Sequence, residues 1–73
     1  MNKSIYTKDY KEIIKRLKRA RIEDGLSQQE VAYKLKKPQS YISKTERGER
    51  RIDIVELHEL ARIYKKKISF FIE

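Results

Sequence analysis

The chain predicts an all-α domain of four to five short helices. Three observations carry that expectation. Apolar residues recur at helical spacing in separate stretches. Capping boxes open two of those stretches. The single proline and the two glycines fall at the ends of the stretches. Only 38% of the residues are hydrophobic, but a disordered tail would not need them to be periodic.

Tyr10, Ile13, Ile14, Leu17 and Ala20 form one stripe of a first helix, about Thr7 to Asp24, with Lys11, Lys15, Arg16, Lys18 and Arg19 on its other side. Thr7 is a candidate N-cap, and Asp9 favours the dipole in the first turn. Asp24-Gly25 stops the helix, because glycine takes the left-handed conformation cheaply.

Ser27 with Glu30 makes the first capping box, and Leu26 and Val31 flank it as a hydrophobic staple. Val31, Ala32 and Leu35 give the second helix its buried edge, and the small Ala32 lets a neighbour approach closely. Pro38 cannot continue that helix and pushes Lys37 into an extended conformation. The turn is then Lys36-Lys37, and a third helix runs about Pro38 to Arg47, closed by Gly48. Ile42 is its main apolar residue, so most of this helix must face outward.

Asp53 with Glu56 forms the second capping box, stapled by Ile52 and Leu57. Leu57, Leu60, Ala61 and Tyr64 make a further helical stripe, and Lys65, Lys66 and Lys67 suit the dipole at its end. The apolar tail from Ile68 to Ile72 is too short for an independent helix and reads as one last turn, partly docked. There is no internal repeat, low-complexity stretch or linker, so residues 1–73 are expected to form one domain.

At 73 residues the core is marginal, and each apolar side chain counts. With no cysteine, neither disulfides nor thiolate metal sites can support it, which fits a cytoplasmic protein. The N-terminal MNKSIYTKDY lacks the apolar centre of a signal peptide, and no run approaches the ~20 apolar residues of a membrane span. The net charge of +8 favours a polyanionic partner. It is uneven: Lys34, Lys36, Lys37, Lys44, Arg47, Arg50 and Arg51 face only Glu46 and Glu49 in that segment. Lys37, Arg47, Arg50 and Arg51 flank the third helix and are candidate phosphate cations, which position a domain without reading sequence. A solvated basic face is the plainer alternative.

At these residues the chain resembles the Cro and phage-repressor (XRE-like) helix-turn-helix family. The matching set is Leu26-Ser27-Gln28, Val31-Ala32, Leu35, Gln39-Ser40, Ile42-Ser43, Glu46, Gly48, Arg50-Arg51, Leu57 and Leu60-Ala61, within Ile13 to about Tyr64. Pieces such as Leu-Ser-Gln are weak alone; the spaced set is specific. The resemblance implies a compact lambda-repressor-like domain with its motif at 28–47, acting as a transcriptional regulator without a cofactor. It would be a dimeric repressor that reads double-stranded DNA at a palindromic operator.

Carried over position by position, Gln39, Ser40, Ser43 and Lys44 would face base edges. Their chemistry suits this: Gln pairs with adenine N6 and N7, Lys reaches guanine O6 and N7, and Ser is permissive. Gln28 would contact phosphate from the start of its helix. Tyr41 could stack on sugar, bond a phosphate or touch a partner subunit. Glu46 repels phosphate and opposes the helix dipole, and the family pattern pairs it with Arg21 in a structural salt bridge. Many members have glycine where this chain has Lys36, a departure that costs on the order of 1 kcal/mol in a left-handed turn. A phosphate contact from Lys36 could offset that cost.

Phe70, Phe71 and Ile72 cannot all reach one core from a single turn. Members usually dimerise through surfaces near the C-terminus, so this tail, residues 68–72, is the candidate dimer contact. His58, beside Glu56 and Glu59, has no second His or Cys to join it and reads as a surface residue. No paired acids or phosphate loop point to catalysis, so no enzyme is expected. Related compact members include restriction–modification controllers and antitoxins. The competing reading is a protein-interaction module for a toxin or another regulator, cued by the apolar tail and an exposed Tyr33. Attachment to an anionic membrane is disfavoured, because Tyr10 lies on the buried stripe.

Overall fold

The computed structural model describes residues 7–73; the segment before them, which bears on the signal-peptide reading, lies outside. Five helices follow in order: α1 Lys8–Glu23, α2 Gln28–Leu35, α3 Gln39–Glu46, α4 Ile54–Ile63 and α5 Ser69–Ile72. No strand occurs among the described residues.

Three starts follow the side-chain chemistry of their caps. Thr7 accepts from the Tyr10 N–H at 3.1 Å. Ser27 and Glu30 close the first capping box at 3.0 and 2.8 Å, and Asp53 and Glu56 close the second at 2.8 and 2.9 Å. The third helix starts one residue later than expected. Pro38 keeps an extended ψ of 156° and serves as its N-cap, without a side-chain bond.

The first four helices end alike. A residue in the left-handed region bonds back three residues, and its successor bonds back five, which is the Schellman pattern. Gly25 and Gly48 hold two of these positions, where glycine has no side chain to strain. Lys36 (φ 58°) and Lys65 (φ 59°) hold the other two. Lysine is disfavoured there by about 1–2 kcal/mol, part of which glycine would return as chain entropy. Lys65→Gly is therefore expected to raise Tm by about 3–6 °C, read by circular dichroism melting. An unchanged or lower Tm would show that the lysine is unstrained.

The core is the predicted stripes brought face to face: Tyr10, Ile14, Leu17 and Ala20 meet Val31, Ala32, Ile42, Leu57, Leu60, Ala61 and Tyr64. Ile13 and Leu35 are only partly buried at its edge. Ala32 is buried where α2 and α3 pack together.

The tail forms α5 against α1, with Phe71 at 1% exposure the largest side chain fully inside. This corrects one expectation: Phe71 has no surface left for a second subunit, because the small core needs its ring. Phe70 packs edge-on against it at 5.1 Å, half-buried, with Lys66 (4.8 Å) and Arg19 (5.9 Å) over its ring. Arg16 Nη1 donates to the Phe70 carbonyl at 3.3 Å and to the Glu73 carbonyl, capping the turn from α1. Of the three tail residues Ile72 alone is largely exposed, at 54%.

Candidate nucleic-acid interface

Two inward side chains orient α3. Ile42 is buried at 1% exposure, and Thr45, one turn on, is buried beside it. Thr45 satisfies its hydroxyl by donating to the Tyr41 carbonyl at 2.7 Å. The opposite side of the helix is thereby turned to solvent. Gln39, Ser40 and Lys44 are exposed on it. Ser43 is half-buried and donates to the Ser40 carbonyl at 3.3 Å.

Glu46 faces inward from the same helix. Arg21 grips it with Nε to Oε2 at 2.7 Å and Nη2 to Oε1 at 3.0 Å, the two side chains only 12% and 5% exposed. The forked geometry is the strong form of this pair, and Arg21 Nη1 also donates to the Leu26 carbonyl at 3.0 Å. The hydrogen bonds that Arg21 donates to Glu46 hold the Arg21 pKa above its ordinary value despite burial. The acid on α3 is thus paired with a cation inside the fold. Gln28, at the start of α2, donates Nε2 to Glu46 Oε1 at 3.0 Å. Its own Oε1 lies 3.5 Å from Gln39 Nε2. The two glutamines at the starts of α2 and α3 are thereby brought together.

The basic residues divide into two groups. Arg47 pairs with Glu49 at 2.9 Å, both exposed, a bond that costs little to exchange. Lys44 and Arg51 are exposed and make no ion pair among the described residues. Lys37 lies exposed with its ammonium 5.4 Å from the Tyr41 ring centre. Arg50 is different. Its guanidinium stacks 4.1 Å from that ring, donates to Glu56 Oε2 at 2.7 Å, and donates to Thr45 Oγ1 at 3.1 Å. Tyr41 donates its hydroxyl to the same Glu56 oxygen at 2.7 Å. Tyr10 ties the adjoining loop to α1: its hydroxyl donates to the Arg50 carbonyl at 3.0 Å and accepts from Ile52 N–H at 2.9 Å. Arg50 and Tyr41 therefore brace the exit of α3 against α4.

Periodicity alone missed this brace. Glu56 was legible as a capping residue, and its second role has no local signature, since its partners Arg50 and Tyr41 stand six and fifteen positions before it, at no helical neighbour spacing.

The brace sets the titration of its members. Burial pushes the Tyr41 phenol up to about 12, helped by its bond to the Glu56 carboxylate. Burial opposes ionisation of Glu56 too, but the Asp53 N–H, Arg50 and Tyr41 outweigh it, and its pKa falls below the usual value. A carboxylate lowered on folding stabilises the fold above its unfolded pKa, ~4.3, and loses that contribution as pH falls through the folded value. Glu56→Gln is therefore expected to be less stable than the parent at neutral pH, with the gap closing in acid. Urea titrations across pH would check this, and a gap independent of pH would sink it.

A helix-turn-helix family model matches residues 17–71, from the middle of α1 into the docked tail. No curated protein and no solved structure matches the chain. No helix among the described residues is long and apolar enough to cross a membrane. The match spans most of the chain and contains both helices of the motif, and the chain belongs to the helix-turn-helix family of Cro and repressor type, DNA-binding transcriptional regulators.

Proposed function

We propose that the protein is a dimeric, cytoplasmic repressor that lays α3 in the major groove at each half of a palindromic operator. The observation that carries this is the outward face of α3, polar and exposed opposite buried Ile42 and Thr45. Gln39, Ser40, Ser43 and Lys44 then read base edges, since that groove distinguishes all four base pairs. Gln28, Lys37, Arg47 and Arg51 hold phosphates around them. Arg50 and Tyr41, committed to Glu56, serve chiefly to hold α3 at its angle. Dimer contact falls to Ile72 and the outer edge of Phe70, with exposed Ile54 and Val55 at the start of α4 as a second apolar surface.

Selection of bound sites from random DNA tests the reading. Two inverted half-sites about one helical turn apart are expected, and a single unrepeated half-site would exclude the dimer. Gln39→Ala with Lys44→Ala should flatten discrimination between sites, each lost bidentate contact costing about 1–3 kcal/mol, while nonspecific binding stays nearly intact. Arg51→Ala should weaken all DNA alike and lower the salt slope by about 1. Discrimination that survives the first pair, or an unchanged slope in the second, would remove those residues from their roles.

One observation favours a second reading, in which a protein partner is the main ligand. Tyr33 is 83% exposed on α2, beside a shallow depression lined by Gln29, Glu30 and Lys34. A stoichiometric partner that is lost on Tyr33→Ala, together with absent sequence preference on DNA, would favour it.

A further inference from the structure

We propose that Glu46, acting through Gln28, fixes which way round the Gln39 amide meets a base pair, and so makes adenine preferred over guanine there. The inference rests on the proposed base-reading role of Gln39. It starts from the buried end of a chain of hydrogen bonds. An ionised carboxylate only accepts hydrogen bonds, and Arg21 holds Glu46 in one orientation with two of them. Gln28 can therefore meet Glu46 only with its Nε2 group, as it does at 3.0 Å. That leaves the Gln28 Oε1 facing outward, and an oxygen can only accept. Gln39 must then turn its own Nε2 towards Gln28, where it lies at 3.5 Å.

The polarity of the last amide follows. Gln39 spends one N–H on Gln28 and presents the other N–H and its Oε1 to the groove. Adenine offers N7 as acceptor and N6–H as donor, which match that pair. Guanine offers two acceptors, N7 and O6, and O6 would oppose the Gln39 oxygen. Were Gln28 free to reverse, Gln39 could accept from it and turn both N–H groups on guanine. Glu46 is thus a positioning residue for specificity, two side chains removed from the base pair.

The test compares binding to duplexes of the selected site that carry A·T or G·C at the base pair assigned to Gln39. In Glu46→Gln the new amide can present either group to Gln28. The adenine-over-guanine ratio is expected to fall about fivefold, the worth of one neutral hydrogen bond, with preferences at other positions unchanged. Arg21→Met with Glu46→Leu removes the carboxylate and its partner together, so no charge is left buried, and the same relaxation is expected. Circular dichroism establishes that each variant is folded. A folded variant of either kind that keeps the parent ratio overturns the inference. So does a uniform loss across all positions, which a purely structural ion pair would produce. Gln39→Ala separates the two levels. If it changes no position, the base-reading role fails and the inference with it. If it erases preference at one base pair while both Glu46 variants retain theirs, only the inference fails.

Discussion

Phe71→Ala is expected to unfold most of the protein at room temperature. The side chain is the largest wholly inside the core and comes from the last turn, so its loss opens a cavity that only the short α5 could move to fill. Truncating a buried Phe costs about 3–5 kcal/mol. A core of this size, with no disulfide, rarely supplies more than about 3–5 kcal/mol in total. Far- and near-ultraviolet circular dichroism in a urea series would measure the loss. The same variant separates two roles for the tail. If Phe71 fills the core, Tm falls steeply at every protein concentration. A variant that melted like the parent while sedimenting as a lighter species would restore Phe71 as a subunit contact. Phe71→Leu, closer in volume, should recover much of the stability.

Arg21→Ala is the second variant expected to be severe. It strands the Glu46 carboxylate, 5% exposed, with Gln28 as its remaining side-chain hydrogen-bond donor. Breaking a buried pair by removing one partner costs about 3–5 kcal/mol, because the remaining charge has left water without compensation. The pair itself is a different quantity. Arg21→Met with Glu46→Leu should lie close to the parent, since burial of two apolar groups avoids the desolvation that the ions incur. Urea denaturation of the single and double variants gives both numbers. A loss below ~1 kcal/mol for Arg21→Ala would mean that water reaches Glu46 and that the pair behaves as a surface bridge.

The elements that could be read from sequence are those written in neighbouring residues. Both capping boxes form, the stripe from Leu57 to Tyr64 is buried throughout, and the left-handed turn falls at Lys36 where glycine was missing. The boxes and the stripe depend on spacings of three and four residues, which sequence displays directly, and the turn at Lys36 followed from the family resemblance. Lys65 was legible only as a cation near a helix end, because nothing adjacent marks it as left-handed. Thr45 was passed over for a related reason: a hydroxyl that bonds its own helix carbonyl can be buried, yet it reads as polar in any hydrophobic pattern. The tail offered three apolar residues for one slot. Choosing Phe71 required the angle at which α5 meets α1, a tertiary quantity.

The site divides in the same way. The residues proposed to face outward on α3 follow from Ile42 together with the family resemblance, whereas the division of the cations follows from neither. Arg47, Arg50 and Arg51 look equivalent in sequence, yet Arg50 alone lies against Tyr41 and Glu56. Glu56 caps α4 with one oxygen and holds Arg50 and Tyr41 with the other, so one carboxylate fixes both the start of a helix and the exit of its predecessor.

The position of Phe71 also orders events during synthesis. A nascent chain that has not yet reached residue 71 holds the first four helices without the ring that completes their shared interior, so closure waits for α5.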